Sequence, residues 1–90
     1  EFIVLATCTT AKQAEDLAQR IRLAICAQSF VLEGHTVNVT VSLGVAVSDS
    51  LNVAGQPASA EDALLQLMIS ADKALYAAKE SGRNAVIVAA

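Results

Sequence analysis

Ninety residues, 54% of them hydrophobic but only 3% aromatic, leave room for one small domain with a core of Val, Leu, Ile and Ala. The composition is far from that of a disordered chain, and a formal net charge of −3 argues against the basic face of a nucleic-acid binder, so no nucleic acid is expected as partner. No apolar run approaches the length that spans a bilayer, and no basic-then-apolar leader opens the sequence, so no membrane segment is expected in this chain.

The sequence opens without Met, on Glu1 and an apolar run, and on that ground reads as a piece of a longer chain. Residues 2–6 are continuously apolar and predict a strand buried on both faces. Residues 7–9 form the exit loop, and Thr10 with Gln13 predicts a capping box for the next helix. Ala14, Leu17, Ala18, Ile21 and Ile25 mark its apolar stripe, with Arg20 and Arg22 outward and Asp16–Arg20 spaced for an exposed ion pair. Cys8 and Cys26 are too few and too far apart for a disulfide scaffold or a metal knuckle, and read as buried reduced thiols of a cytoplasmic protein.

Residues 29–33 predict a short strand, and Glu33, Gly34 and His35 a turn that leaves the histidine at the surface. From Val37 to Val47 apolar residues alternate without a break, which predicts one long strand with an apolar face and a small, polar face. Gly44 within it predicts a bulge or the close approach of another backbone. Residues 48–57 read as a loop. Leu64, Met68, Ala71, Leu75 and Ala78 then form the stripe of a second helix, begun by Ser59 with Asp62 and stopped by Gly82. Residues 84–90 predict a closing strand. The order β-α-β-β-α-β predicts an α/β (α+β) sandwich of ferredoxin-like kind with a mixed sheet.

Lys79 in the last turn of the second helix and Arg83 just past its glycine bring two cations to one exit point. They match either a solvated helix end suited to the helix dipole or a small anion clamp, and spacing alone leaves both readings open.

Three tracts together carry more than pattern: Val39-Thr-Val-Ser-Leu-Gly-Val-Ala46, Ala71-Asp-Lys-Ala-Leu-Tyr-Ala-Ala-Lys-Glu-Ser-Gly-Arg-Asn84, and Glu1-Phe2 leading by a strand into a helix with Ala18-Gln-Arg-Ile-Arg22. In order and spacing they resemble the GGDEF domain of bacterial diguanylate cyclases over nearly the whole chain. Glu1-Phe2 looks like the last two letters of the Gly-Gly-Asp/Glu-Glu-Phe signature. The resemblance implies that residues 1–90 are the C-terminal part of a single such domain, with a fold similar to the palm of nucleotidyl cyclases.

It further implies a parent enzyme that condenses two GTP into cyclic di-GMP and releases two pyrophosphates, with Mg²⁺ or Mn²⁺ as cofactor. In that family two subunits face each other as a homodimer, each 3′-hydroxyl attacking the α-phosphate on the partner. By position, Lys79 and Arg83 correspond to residues that contact the terminal phosphates of GTP. Glu1 corresponds to one of the acidic pair at the metal-phosphate site, and Arg20 to an arginine of a secondary inhibitory site for cyclic di-GMP. Asp72 and Asn84 correspond to structural positions making helix-end or loop hydrogen bonds, and Tyr76 to a packing position with a polar tip.

The signature glycines, the third acid, the earlier metal-binding Asp, the guanine-reading residues and the Arg-x-x-Asp motif all precede Glu1 in the family. The fragment alone is therefore expected to be inactive, to expose apolar surface and open strand edges, and to associate. A degenerate domain that senses GTP or cyclic di-GMP, or only dimerises, is the competing reading.

Overall fold

The computed structural model describes residues 1–7, 10–48 and 59–89. The loop prediction for residues 49–57, the exit-loop residues Cys8 and Thr9 and the thiol prediction for Cys8 lie outside the described residues. The described elements run α1 (Ala11–Cys26), β1 (Ser29–Leu32), β2 (His35–Asn38), β3 (Leu43–Val45), α2 (Ala60–Glu80) and β4 (Val86–Val88). The class is mixed α/β, as expected, with two helices packed on one of two small sheets.

Helix α1 begins as its sequence directs. The Thr10 hydroxyl accepts from the Gln13 amide at 3.2 Å while the Gln13 side chain accepts from the Thr10 amide at 3.1 Å. Each bond satisfies a donor that no helical carbonyl can reach. Helix α2 begins on Ser59, whose hydroxyl accepts from the Asp62 amide at 3.1 Å. Glu61 and Asp62 add negative charge where the helix dipole favours it.

β1 and β2 pair antiparallel with Leu32 opposite His35, so Glu33 and Gly34 form a two-residue turn. Their φ angles of 50° and 80° are both positive, the geometry that matches the twist of a hairpin. His35 is exposed on this hairpin, as its sequence context predicted.

β3 and β4 pair in parallel, Leu43 opposite Val86 and Val45 opposite Val88, and α2 provides the crossover between them. Both helices pack on this pair. A methyl group at Gly44 would overlap the Ala71 carbonyl oxygen and the Leu75 amide nitrogen. The helix backbone therefore lies directly on the strand, the close approach that an unbranched position in an alternating run suggested. Ala74 and Ala78 are buried beside it, and Ala18 is the buried residue of α1.

Several expectations are corrected. Residues 2–6 are not a buried strand: among the described residues they join no ladder, and Phe2 is 97% exposed. A strand exists only against a neighbour, and among the described residues none pairs with this run in a ladder. The predicted long strand is divided. Residues 35–38 pair with β1 and residues 43–45 with β4, because alternation reports which face a residue takes but not which partner it meets. The observed order among the described residues is α-β-β-β-α-β. The α2 stripe is covered only toward its C-terminal half, since Leu64 and Met68 stand 42% exposed. Asp16 pairs with Lys12 at 2.9 Å rather than with Arg20.

Candidate functional site

The end of α2 is closed by its own backbone. Beyond the last helical residue, Glu80, the Gly82 amide donates to the Lys79 carbonyl at 3.3 Å and the Arg83 amide to the Ala78 carbonyl at 3.1 Å, the paired bonds of a Schellman motif. The Ser81 amide donates to the Ala77 carbonyl at 3.0 Å, and its hydroxyl to the Ala78 carbonyl at 2.8 Å. Gly82 adopts φ 115°, which glycine reaches without a Cβ penalty.

The left-handed conformation does not stop at the glycine. Arg83 has φ 65° and Asn84 φ 50°. Asparagine tolerates this region, whereas for arginine it costs roughly 1–2 kcal/mol. The chain thus holds a residue against its conformational preference at a position that the sequence singled out as a candidate anion contact.

Lys79 and Arg83 are both exposed, and among the described residues neither side chain has a hydrogen-bond or ion-pair partner. The carbonyls of Ala77, Ala78 and Lys79 in the last turn already accept bonds from the residues that follow. Both residues border one open concavity of about 1490 Å³, and Glu1 borders it too. The structure therefore places three of the residues singled out from sequence on the border of one concavity. Arg20, the fourth, is exposed on α1 and does not border this concavity.

Most of the concavity is apolar. Leu17, Ile21 and Ile25 of α1, Leu75 of α2 and Val45 of β3 line it along with residues 2–6. Such a surface favours other apolar groups, so an anion is confined to the rim where Lys79 and Arg83 stand. There it also meets the partial negative charge of the helix C-terminus, which the two cations have to outweigh.

The donor set for a divalent metal is incomplete. A hard cation of this kind takes several oxygen ligands. Among the described residues no three acidic, histidine or cysteine side chains gather. Glu1 and Asp72 border the concavity as single carboxylates. The described residues do not form a metal centre by themselves.

Other assignments resolve residue by residue. Asn84 makes the loop bonds expected of it: its side-chain carbonyl accepts from Arg22 Nη1 at 3.1 Å, and its amide donates to the Ser42 hydroxyl at 3.1 Å. Asp72 lies within α2, exposed, and among the described residues its side chain has no hydrogen-bond partner, so it makes no helix-end contact there. Tyr76 is 67% exposed rather than packed, because it lies off the helix face that meets β3. Cys26 is a free, half-buried thiol whose Sγ lies 3.6 Å from the Leu23 carbonyl. Sequence reasoning had placed Arg22 simply outward. Its link to Asn84 spans 62 positions, and no local pattern announces it.

A mixed α/β arrangement of two helices on a small parallel sheet, with a glycine-stopped helix feeding a parallel strand, is consistent with the palm-like fold expected from the sequence. The family model described as the diguanylate cyclase GGDEF domain matches residues 1–85, and the chain belongs to that family. It is 38% identical over 86 residues to Diguanylate cyclase A of Treponema denticola, covering 96% of this chain and 21% of that protein. Response regulator PleD of Caulobacter vibrioides is 39% identical over 89 residues, with 97% of this chain and 18% of that protein covered. Diguanylate cyclase DgcP of Pseudomonas aeruginosa is 34% identical over 89 residues, with 99% and 12% covered. The chain thus spans between 12% and 21% of the length of these curated relatives. No described helix is long and apolar enough to cross a membrane.

Proposed function

We propose that this chain is the C-terminal part of a single GGDEF domain in a longer, cytoplasmically facing diguanylate cyclase that joins two GTP into cyclic di-GMP. Lys79 and Arg83 grip the terminal phosphates of GTP and then the pyrophosphate that leaves. The observation that carries this reading is that the α2 terminus is closed without their side chains, so two cations that have no partner among the described residues stand at the rim of one concavity. Charge-assisted bonds to phosphate are among the strongest available to such side chains.

Glu1 contributes one carboxylate to the metal-phosphate site, and residues beyond this chain supply the remaining ligands for Mg²⁺ or Mn²⁺. The apolar part of the concavity seats the rest of the domain, which accounts for the exposure of Phe2, Leu64 and Met68. Arg20 serves a separate inhibitory site for the product, in keeping with its position away from the concavity. Two such domains meet as a homodimer, each carrying one GTP.

The test compares the full-length protein with the 90-residue chain, each given GTP and Mg²⁺ or Mn²⁺, with cyclic di-GMP measured by chromatography. The full-length protein should make product and the short chain none. In the full-length protein Lys79→Ala with Arg83→Ala should weaken GTP binding about a hundredfold, each lost charged hydrogen bond accounting for about tenfold. Product from the short chain, or unchanged GTP affinity in the double variant, overturns the corresponding part. Tight GTP binding by a full-length protein that makes no product would turn the reading to a sensor.

A further inference from the structure

We infer that Arg22 and Asn84 are positioning residues, a clasp from α1 that holds Arg83 in its disfavoured conformation and so sets the guanidinium at the rim of the concavity. This inference rests on the phosphate-binding reading of Lys79 and Arg83.

Residues 82–84 have three consecutive positive φ angles, 115°, 65° and 50°. Glycine and asparagine accept such angles, but an arginine among them persists only when its surroundings fix it. Those surroundings are visible on both sides. Upstream, the Gly82 and Arg83 amides are bound to the α2 carbonyls. Downstream, the Asn84 backbone amide donates to the Ser42 hydroxyl just before β3, and the Asn84 side-chain oxygen Oδ1 accepts from Arg22 Nη1. Arg22 is itself aimed by Gln19, whose Oε1 accepts from Arg22 Nε at 2.8 Å. Arg83 is thus the central residue of a loop tied down at both ends.

The division of labour between the two arginines follows. Arg22 is half-buried, spends its donors on Gln19 and Asn84, and does not border the concavity. Arg83 is exposed, donates no side-chain hydrogen bond among the described residues, and does border it. A turn needed only to lead α2 into β4 would be relieved of strain by glycine or asparagine at position 83. The strained arginine is accounted for if its side chain has to be presented from that backbone position.

Equilibrium binding of GTP to the full-length protein, with melting temperature recorded alongside, tests this. Arg22→Gln and Asn84→Gly should each weaken GTP about fivefold, the scale of one hydrogen bond. Asn84→Gly keeps a residue that accepts positive φ, so it removes the clasp without straining the turn. Arg22→Lys should restore part of the affinity. In an Arg83→Ala background neither variant should weaken binding further, because each acts through Arg83. Equal weakening in both backgrounds, or unaltered affinity where Arg83→Ala alone weakens it, overturns the clasp and leaves the phosphate grip standing. Unaltered affinity in Arg83→Ala removes the grip, and the clasp with it.

Discussion

Helices α1 and α2 begin in the same way, with the hydroxyl of Thr10 or Ser59 accepting from an amide three residues on, yet they leave in different ways. α1 ends on Ala27 in ordinary right-handed geometry, with no basic residue in its last turn. α2 has the same right-handed cap at Ser81, but a left-handed run follows it, with Lys79 in the last turn and Arg83 within that run. Neither a cation nor a strained residue is needed to finish a helix in this chain. What distinguishes the second ending is therefore additional to helix formation, and it coincides with the rim of the concavity.

The contrast can be broken most severely at the strand beneath α2. Gly44→Ala places a methyl group into the α2 backbone, which the helix can accommodate only by lifting off the sheet. The expected loss is about 3 kcal/mol, the upper end for overpacking. Urea denaturation of the full-length protein measures it, and GTP binding should fall in parallel because the Lys79–Arg83 ending moves with the helix. Gly82→Ala probes the ending itself. Nothing lies within 4 Å of the added methyl, so the effect is purely conformational. A loss of about 1 kcal/mol is expected, again with weaker GTP binding.

Thr10→Ala breaks the beginning of α1 instead. It should also cost about 1 kcal/mol, but GTP affinity should stay as it was. A drop in affinity there would show that loosening the start of α1 reaches Arg22 and the α2 ending that it holds. The smallest effect is on the exposed flank of α1. The hydrogen bond to Asp16, reinforced by its charge, raises the Lys12 ammonium above its ordinary value. Its contribution to stability is therefore present below that ordinary value and lost as pH rises through the folded one. In Asp16→Asn the Lys12 titration followed by NMR should move down, with GTP binding untouched.

The helices were legible in the sequence because the forces that bound them are local. Thr10 with Gln13, Ser59 with Asp62, and Gly82 after the last turn each act within a few residues. Gly44 was legible for a related reason, since a missing side chain in an alternating run signals contact without naming the neighbour. Residues 2–6 and 39–42 misled because apolar composition favours a strand but cannot supply its partner. The candidate site was half legible. Lys79 and Arg83 sit close in sequence and at one helix end, while Arg22, Asn84 and Ser42 meet only after the chain has folded back on itself.

The parallel pairing of β3 with β4 also sets an order of assembly. Val86 finds its place only opposite Leu43, so about forty residues must be made and α2 wound before that ladder can close. The β1–β2 hairpin and α1 need no such wait, because their contacts lie within a few residues of one another. Pulse-labelled hydrogen exchange should accordingly find amides of α1 and the hairpin protected before those of β3. During synthesis on the ribosome, β3 carries an unpaired edge until β4 has emerged. The ending of α2 is then among the last parts of the chain to become rigid.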